Sequence, residues 1–429
     1  MMDQADPHPG GRPKITELLL IRDFRILWIG SFLSFSGSWI QNVAQGFFVY
    51  NLTNDEAKLA LVSFAGSLPV FILGTIAGRL ADSVNPRRVL FWTQIVYAVL
   101  TLWLAYATWK GFVMYWQVVA VAGLIGITST IEIPTRQSVV GKVVPRDLLS
   151  VAVPAQAMTF NVARIIGPAI GGILLSRFGV ASCYAVNGLS FLALAASALA
   201  IRSKLDNPRQ ERQPIRDLIT EGALYVWREN RLRTLLILET VTAVFGIFYV
   251  PMISAYVVQI LGYESKSDAA KSAIGHAYTA IGVGAVLGLL LLLRLHASPH
   301  KGRMVLLAMS GMVVGLLAIS IIRVEPVAWL FLALLGGSTM VQFNTTNSLF
   351  QLLSPERLRG RTLSMHIWAL NGLSPFGVLG LGYFASVTRI APLAVFGGGV
   401  QAALRLGFIL MVLGLAFGLN QRRHLRILE

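Results

Sequence analysis

Apolar residues run along this chain in long unbroken stretches, without the alternation of half-buried strands or the one-sided stripe of a water-exposed helix. A helix needs about 20 apolar residues to cross the hydrocarbon of a bilayer. About twelve stretches of that size follow one another, at 24–50, 58–81, 89–109, 115–140, 150–176, 180–201, 233–262, 272–293, 304–322, 327–350, 362–388 and 398–419. They predict an all-α integral membrane protein. The longest polar stretch, "RSKLDNPRQERQPIRDLITEGALYVWRENRL" at 202–232, splits the spans into six and six. The expected organisation is therefore a short N-terminal segment (1–23), a six-helix bundle (24–201), a linker (202–232), a second six-helix bundle (233–419) and a tail (420–429). Residues 215–228 have a mixed amphipathic pattern, which fits a short helix on the membrane surface as well as a plain tether.

Charge turns this pattern into a topology. Only 13% of the 429 residues are charged, against about 25% in soluble domains. The net charge is nevertheless +16. Of the 36 Lys and Arg, 27 fall at the termini and in alternate joints, and 7 on the other side. That bias is the positive-inside rule, and it places both termini in the cytoplasm. The excess positive charge is thus explained by orientation, and no nucleic-acid partner is needed. The single cysteine, Cys183, excludes an internal disulfide and a CxxC metal site. The polar first 14 residues fit no cleavable signal, so the first span is expected to act as an uncleaved anchor.

The two halves resemble each other. "TRQSVVGKVVPRDLL" (135–149) aligns with "TTNSLFQLLSPERLR" (345–359) at an offset of 210, and Gly167 and Gly172 meet Gly377 and Gly382 at the same offset. Repeats of six spans in one orientation point to a transporter with its substrate between the halves near the midplane.

One charged knot, "GRLADSVNPRRVL" (78–90), lies between the second and third spans. It resembles the cytoplasmic signature of the major facilitator superfamily, G-x-L-A-D-r-x-G-r-[RK], through Gly78, Leu80, Asp82, Arg87 and Arg88; Ser83 and Asn85 depart from it. Together with "IEIPTRQS", "FNVARIIGPAIGG" and "NSLFQLLSPERLRGRTLSM", the knot resembles a bacterial branch of drug and siderophore exporters similar to the enterobactin exporter. The resemblance implies a monomeric transporter of the bacterial cytoplasmic membrane, without cofactor or metal, that exports amphipathic small molecules against protons. It also implies that Gly78, Asp82, Arg87 and Arg88, with Arg361 in the second half, form a cytoplasmic gate. The residues alone equally allow a basic loop that only sets topology. Gly167, Pro168, Gly171 and Gly172 resemble the antiporters' Gly-Pro motif, which favours export; the same glycines also allow close helix packing.

Charges within the spans are costly and each needs a partner or a task. Glu132 and Arg136 share a face at i, i+4, and Arg164 lies near the middle of the fifth span. Glu132 is a candidate proton carrier tuned by Arg136 or Arg164, a member of a fixed pair locking the fourth and fifth spans, or a substrate contact. Glu239 either lines the cavity or reaches the inner surface near Arg231 and Arg233. Neutral polar groups at Gln41, Asn42, Gln45, Asn161, Gln342, Asn344, Asn347 and Asn371, near several aromatic residues, suit an amphipathic substrate or hydrogen bonds between helices. The six His form no HExxH or comparable set, and no G-x-x-x-x-G-K-[ST] loop occurs, so neither enzyme chemistry nor ATP drive is indicated. The longest polar stretch is too short for a receptor's soluble domain. A lipid or lysolipid flippase of the same fold is the alternative transport activity.

Overall fold

The computed structural model describes residues 15–203, 205, 215–295, 300–393 and 395–425, with the side chains of 15, 74–83, 146, 215–219 and 424–425 outside the description. In order, the helices are α1 (Ile15–Leu20), α2 (Arg22–Thr53), α3 (Glu56–Ser83), α4 (Pro86–Lys110), α5 (Tyr115–Val143), α6 (Leu149–Ala200), α7 (Ile215–Arg228), α8 (Asn230–Val241), α9 (Ile253–Gln259), α10 (Asp268–Arg294), α11 (Lys301–Ile321), α12 (Glu325–Leu353), α13 (Arg359–Ile367), α14 (Leu373–Ile390), α15 (Val400–Asn420) and α16 (Arg422–Leu425).

Helix ends are set by local chemistry. The Asp55 carboxylate caps α3 by accepting the amides of Ala57 and Lys58, Asn85 caps α4 ahead of Pro86, and Ser267 caps α10. Gly111 ends α4 in a left-handed conformation. Gly179, at φ 77°, breaks the 52-residue α6, which therefore crosses twice. Among the described residues nine segments are long and apolar enough to span a bilayer, α6 counted once. With its second crossing, α2, and the broken pair α8–α9, the order is consistent with twelve.

The internal repeat is visible in the helices themselves. Helix α12 starts and ends 210 residues after α5, the short 3₁₀ turns Arg146–Leu148 and Glu356–Leu358 keep that offset, and so do the starts of α6 and α13. The seventh span departs from its expected continuous form. It is interrupted by a π turn at Thr242–Gly246, and the eleventh carries one at Trp368–Gly372. Such wide turns leave no mark in hydropathy and often accompany functional sites.

Within the first half α6 packs on α2 and α4, and α3 on α5; within the second, α12 packs on α10 and α11. The halves meet where α6 touches α10 and where α3 touches α14. The first contact is backbone against backbone. A Cβ on Gly275 would lie 2.6 Å from the Gly172 Cα, and one on Gly282 would lie 2.6 Å from the Arg164 carbonyl oxygen. Gly275→Val is therefore expected to destabilise the protein by about 1–3 kcal/mol through overpacking, read as a lower unfolding midpoint in detergent. An unchanged midpoint would mean that the two helices do not meet there.

The alternation of helices gives the bundle two ends. The basic end gathers the start of α2, the α3–α4 and α5–α6 joints and the linker. The opposite end gathers the α2–α3 joint, the end of α9 and the α14–α15 joint.

Candidate functional site

Glu132 and Arg136 occupy one face of α5 and pair with each other, the Arg136 Nε donating to Glu132 Oε1 at 2.5 Å. Both are buried, at 4% and 8% exposure. Gln94 of α4 donates to the same oxygen at 3.4 Å. The Arg136 guanidinium lies 4.4 Å from the centroid of the Phe35 ring on α2. Arg164 is not part of this pair; it sits over the Trp39 ring at 5.6 Å, within electrostatic range of Tyr249 from the second half. A lock between the fourth and fifth spans is thus not what the pair forms. It is internal to α5 and reaches toward α4 and α2, because i, i+4 spacing supplies the nearest cation.

Aromatic rings connect the two arginines. Phe35 meets Phe160 edge-on with centroids 5.2 Å apart, and Trp39 meets Phe160 at 6.0 Å. Gly167, Pro168 and Gly171 follow on α6 and are buried. A Cβ on Gly167 would lie 2.6 Å from the Trp39 Cβ, and one on Gly171 3.2 Å from the Ile40 Cα. These glycines bring α6 against α2, while Gly172 meets Gly275.

Two of the neutral polar candidates, Gln41 and Gln342, hold helices together. Gln41 is buried, donates to Gln45 at 3.3 Å and accepts from Asn187 of α6 at 2.6 Å, so it is not part of a cavity wall. Gln342 is fully buried and donates to Thr242 at 2.7 Å, tying α12 to the π turn of the seventh span. Asn161 and Asn344 donate to the carbonyls one turn back, and Asn347 accepts from Gln351. Asn42, Asn344 and Asn371 are exposed.

The second half has its own buried pair. Glu239 Oε2 lies 2.5 Å from His366 Nδ1, with both side chains almost wholly enclosed. Glu239 therefore neither lines a cavity nor reaches Arg231 and Arg233. Because His366 lies 127 residues away, sequence spacing could not reveal it.

The opposite end holds a polar seal between the halves that sequence reasoning missed. Glu56, at 0% exposure, accepts a hydrogen bond from Gln259 of α9 and lies 3.7 Å from Arg389 of α14. The same Gln259 nitrogen donates to the Tyr50 hydroxyl at 2.7 Å, and its oxygen accepts the Val400 amide at 2.9 Å. Arg389 also donates to the Asn54 carbonyl, and Ser265 donates to Asn51 at 2.7 Å. One acid at the first turn of α3 was the available sequence signal, but it reads there as an ordinary loop charge.

At the basic end Arg87 donates to the Ser203 carbonyl at 2.9 Å and Lys142 to that of Leu205 at 3.2 Å. The Asp23 carboxylate accepts the Arg202 amide and both the amide and hydroxyl of Ser203, at 2.6–3.0 Å. Burial pushes the Asp23 carboxyl up, but the bonds from Ser203 and Arg202 outweigh it and hold it below the usual carboxylate range. Three elements of the first half thus grip the start of the linker. Its helix α7 binds the second half, where Glu221 pairs with Arg357 at 2.5 Å and with Arg361. Arg88 is exposed, and the Asp82 side chain and the surroundings of Gly78 lie outside the description.

A family profile described as "transmembrane secretion effector" matches residues 18–421. The chain belongs to this family of the major facilitator superfamily. It is a multi-pass membrane transporter of small molecules, not an enzyme, and the bilayer is its solvent. It is 24% identical over 366 residues to the staphyloferrin A transporter of Staphylococcus aureus, covering 84% of this chain and 89% of that protein. It is 24% identical over 374 residues to the multidrug efflux pump Tap of Mycolicibacterium fortuitum (83% and 87% covered) and 23% identical over 371 residues to macrolide efflux protein A of Streptococcus pyogenes (84% and 89%). In fold the chain matches a nucleoside transporter NupG mutant at TM-score 0.75 with 10% identity, covering 93% of this chain and 99% of that one. A bacterial homologue of the lysosomal transporter Spinster matches at TM-score 0.70 with 14% identity, over 97% and 98%.

Proposed function

We propose that this transporter is a proton-coupled exporter of amphipathic small molecules that works by alternating access. It acts as a monomer in a bacterial cytoplasmic membrane, with its basic end and both termini in the cytoplasm. The observation that carries the reading is the polar seal around Glu56, whose partners come from the other half. A joint of that kind closes one end in one state and must part in another. The relatives named as efflux proteins support export as the direction.

The proton is assigned to Glu132. Neutralising its carboxylate would leave Arg136 a hydrogen-bond acceptor but remove its counter-charge, loosening a side chain that already leans on Phe35 and so on the aromatic run toward Trp39. Charge on one residue is thereby coupled to the wall that faces the second half.

The test uses proteoliposomes with an internal pH dye and imposed gradients of amphipathic cations, antibiotics and siderophores. Wild type is expected to move protons with substrate, and Glu132→Gln to lose that movement while still binding. Glutamine keeps an acceptor for Arg136 but cannot carry the proton. Coupling that survives in the variant would make Glu132 a structural partner.

A second reading is a lipid or lysolipid flippase. An apolar groove of about 490 Å³, lined by Val244, Phe245, Phe376, Tyr383, Leu406 and Leu410, offers room for an acyl chain and holds none of the polar candidates. Absence of proton movement with every compound, together with movement of labelled lysolipid, would favour it.

A further inference from the structure

Arg164 is a half-buried charge within a span that has no opposite partner among the described residues. Arg136 has Glu132, Glu239 has His366, and Glu56 has Gln259 and Arg389. Among the described residues no carboxylate pairs with Arg164, and its Nε is shielded from solvent without a hydrogen-bond partner. What the guanidinium does have is the face of Trp39 at 5.6 Å and the neighbourhood of Tyr249. A ring face does not replace the hydrogen bonds that water would give a cation.

The surroundings repeat this incompleteness. Gln156, Phe160 and Arg164 follow at intervals of four and share one face of α6 with Asn161. Both polar atoms of the Gln156 side chain and the oxygen of Asn161 are shielded and unpartnered. Phe160 stays 41% exposed although the rings of Phe35 and Trp39 both contact it. At the same spacing of four, Arg164 leads to Pro168 and Gly172, and the backbone at all three lies against Gly282 and Gly275 of α10, so this face turns toward the second half.

We propose that this face is a binding site for an organic carboxylate, with Arg164 holding the anion and Phe160 and Trp39 taking its apolar body. The proposal rests on the exporter reading and narrows its substrate class. A planar guanidinium suits a carboxylate because two parallel N–H donors meet two oxygens. Gln156 and Asn161 supply uncharged hydrogen-bonding groups along the same face for the rest of the molecule. A cationic amphiphile would instead meet Arg164 as a like charge.

Detergent-purified full-length protein, titrated with naphthalene-2-acetate and followed by tryptophan fluorescence, tests the assignment. The methyl ester and 2-naphthylethylamine have the same ring without the anion. Wild type is expected to bind the carboxylate at least about tenfold more tightly than either analogue. Arg164→Gln should lose that preference while keeping ester affinity, its elution as a single species and its unfolding midpoint. Arg164→Lys should recover part of it. Equal binding of acid and ester, an acid preference that survives in Arg164→Gln, or no binding of any of the three overturns the proposal. The two readings separate cleanly: proteoliposomes that pump cations or neutral compounds without acid preference leave an exporter and remove the anion site. Arg164-dependent acid binding in a protein that pumps nothing does the reverse.

Discussion

Cutting Glu132 back to alanine is expected to cost the folded protein about 3–5 kcal/mol, the largest single effect foreseen here. The reason is what remains behind. Arg136 is 8% exposed, one of its terminal nitrogens is already unpartnered, and its Nε would lose its acceptor. A buried unpaired charge costs far more than the pair contributed. Glu132→Gln should cost much less, since its amide oxygen can still accept from Arg136. The double replacement Glu132→Leu with Arg136→Met should regain most of the loss, because it removes both charges together. Unfolding by denaturant in detergent measures all three. If Glu132→Ala matched wild type, or if the double variant were the worst of the set, Arg136 would not depend on Glu132 for its burial.

The second large effect belongs to the seal. Glu56→Ala removes an acceptor from Gln259 and the counter-charge of Arg389 at once. A hydrogen bond to a charged group is worth about 1.5–3 kcal/mol, so the balance between closed and parted ends should move by roughly thirtyfold. A reporter thiol reads that shift. With Cys183 replaced by alanine, Met252→Cys places a cysteine at a fully buried position on the inner side of the seal. Its labelling by a membrane-impermeant maleimide should rise by about that factor when Glu56→Ala is added. Arg389→Ala should act in the same direction but more weakly, because that side chain is 35% exposed and water already screens it. Labelling that stays slow in both variants would show that apolar contacts keep this end closed.

The all-α membrane fold was open to reading because hydrocarbon demands long apolar helices and the repeat leaves a fixed offset. Interruptions within spans were not. The π turns at Thr242–Gly246 and Trp368–Gly372 keep the same apolar residues and change only the hydrogen-bond spacing. At the site, spacing found Glu132 with Arg136 because both lie on one helix. It could not find Glu239 with His366, Gln41 with Asn187, or Gln342 with Thr242, whose partners meet only after helices pack. Glu56 and Arg389 were hidden for another reason: charges at helix ends look solvated in a sequence, whereas Glu56 is enclosed by the second half.

The contact between α6 and α10 differs in kind from that seal. Where Gly172 meets Gly275 and Gly282 meets the Arg164 carbonyl, no side chains interlock. Surfaces without teeth can roll over one another without any rotamer having to change, so tilting there meets little friction. In the exporter proposed above, this smooth line is the bearing on which the halves turn. The resistance to turning then falls on the polar cluster around Glu56 and on the rings that interlock between α3 and the eleventh span, Phe64 and Phe71 with Phe376. Those side chains, and not the glycine line, would set how often the transporter changes state.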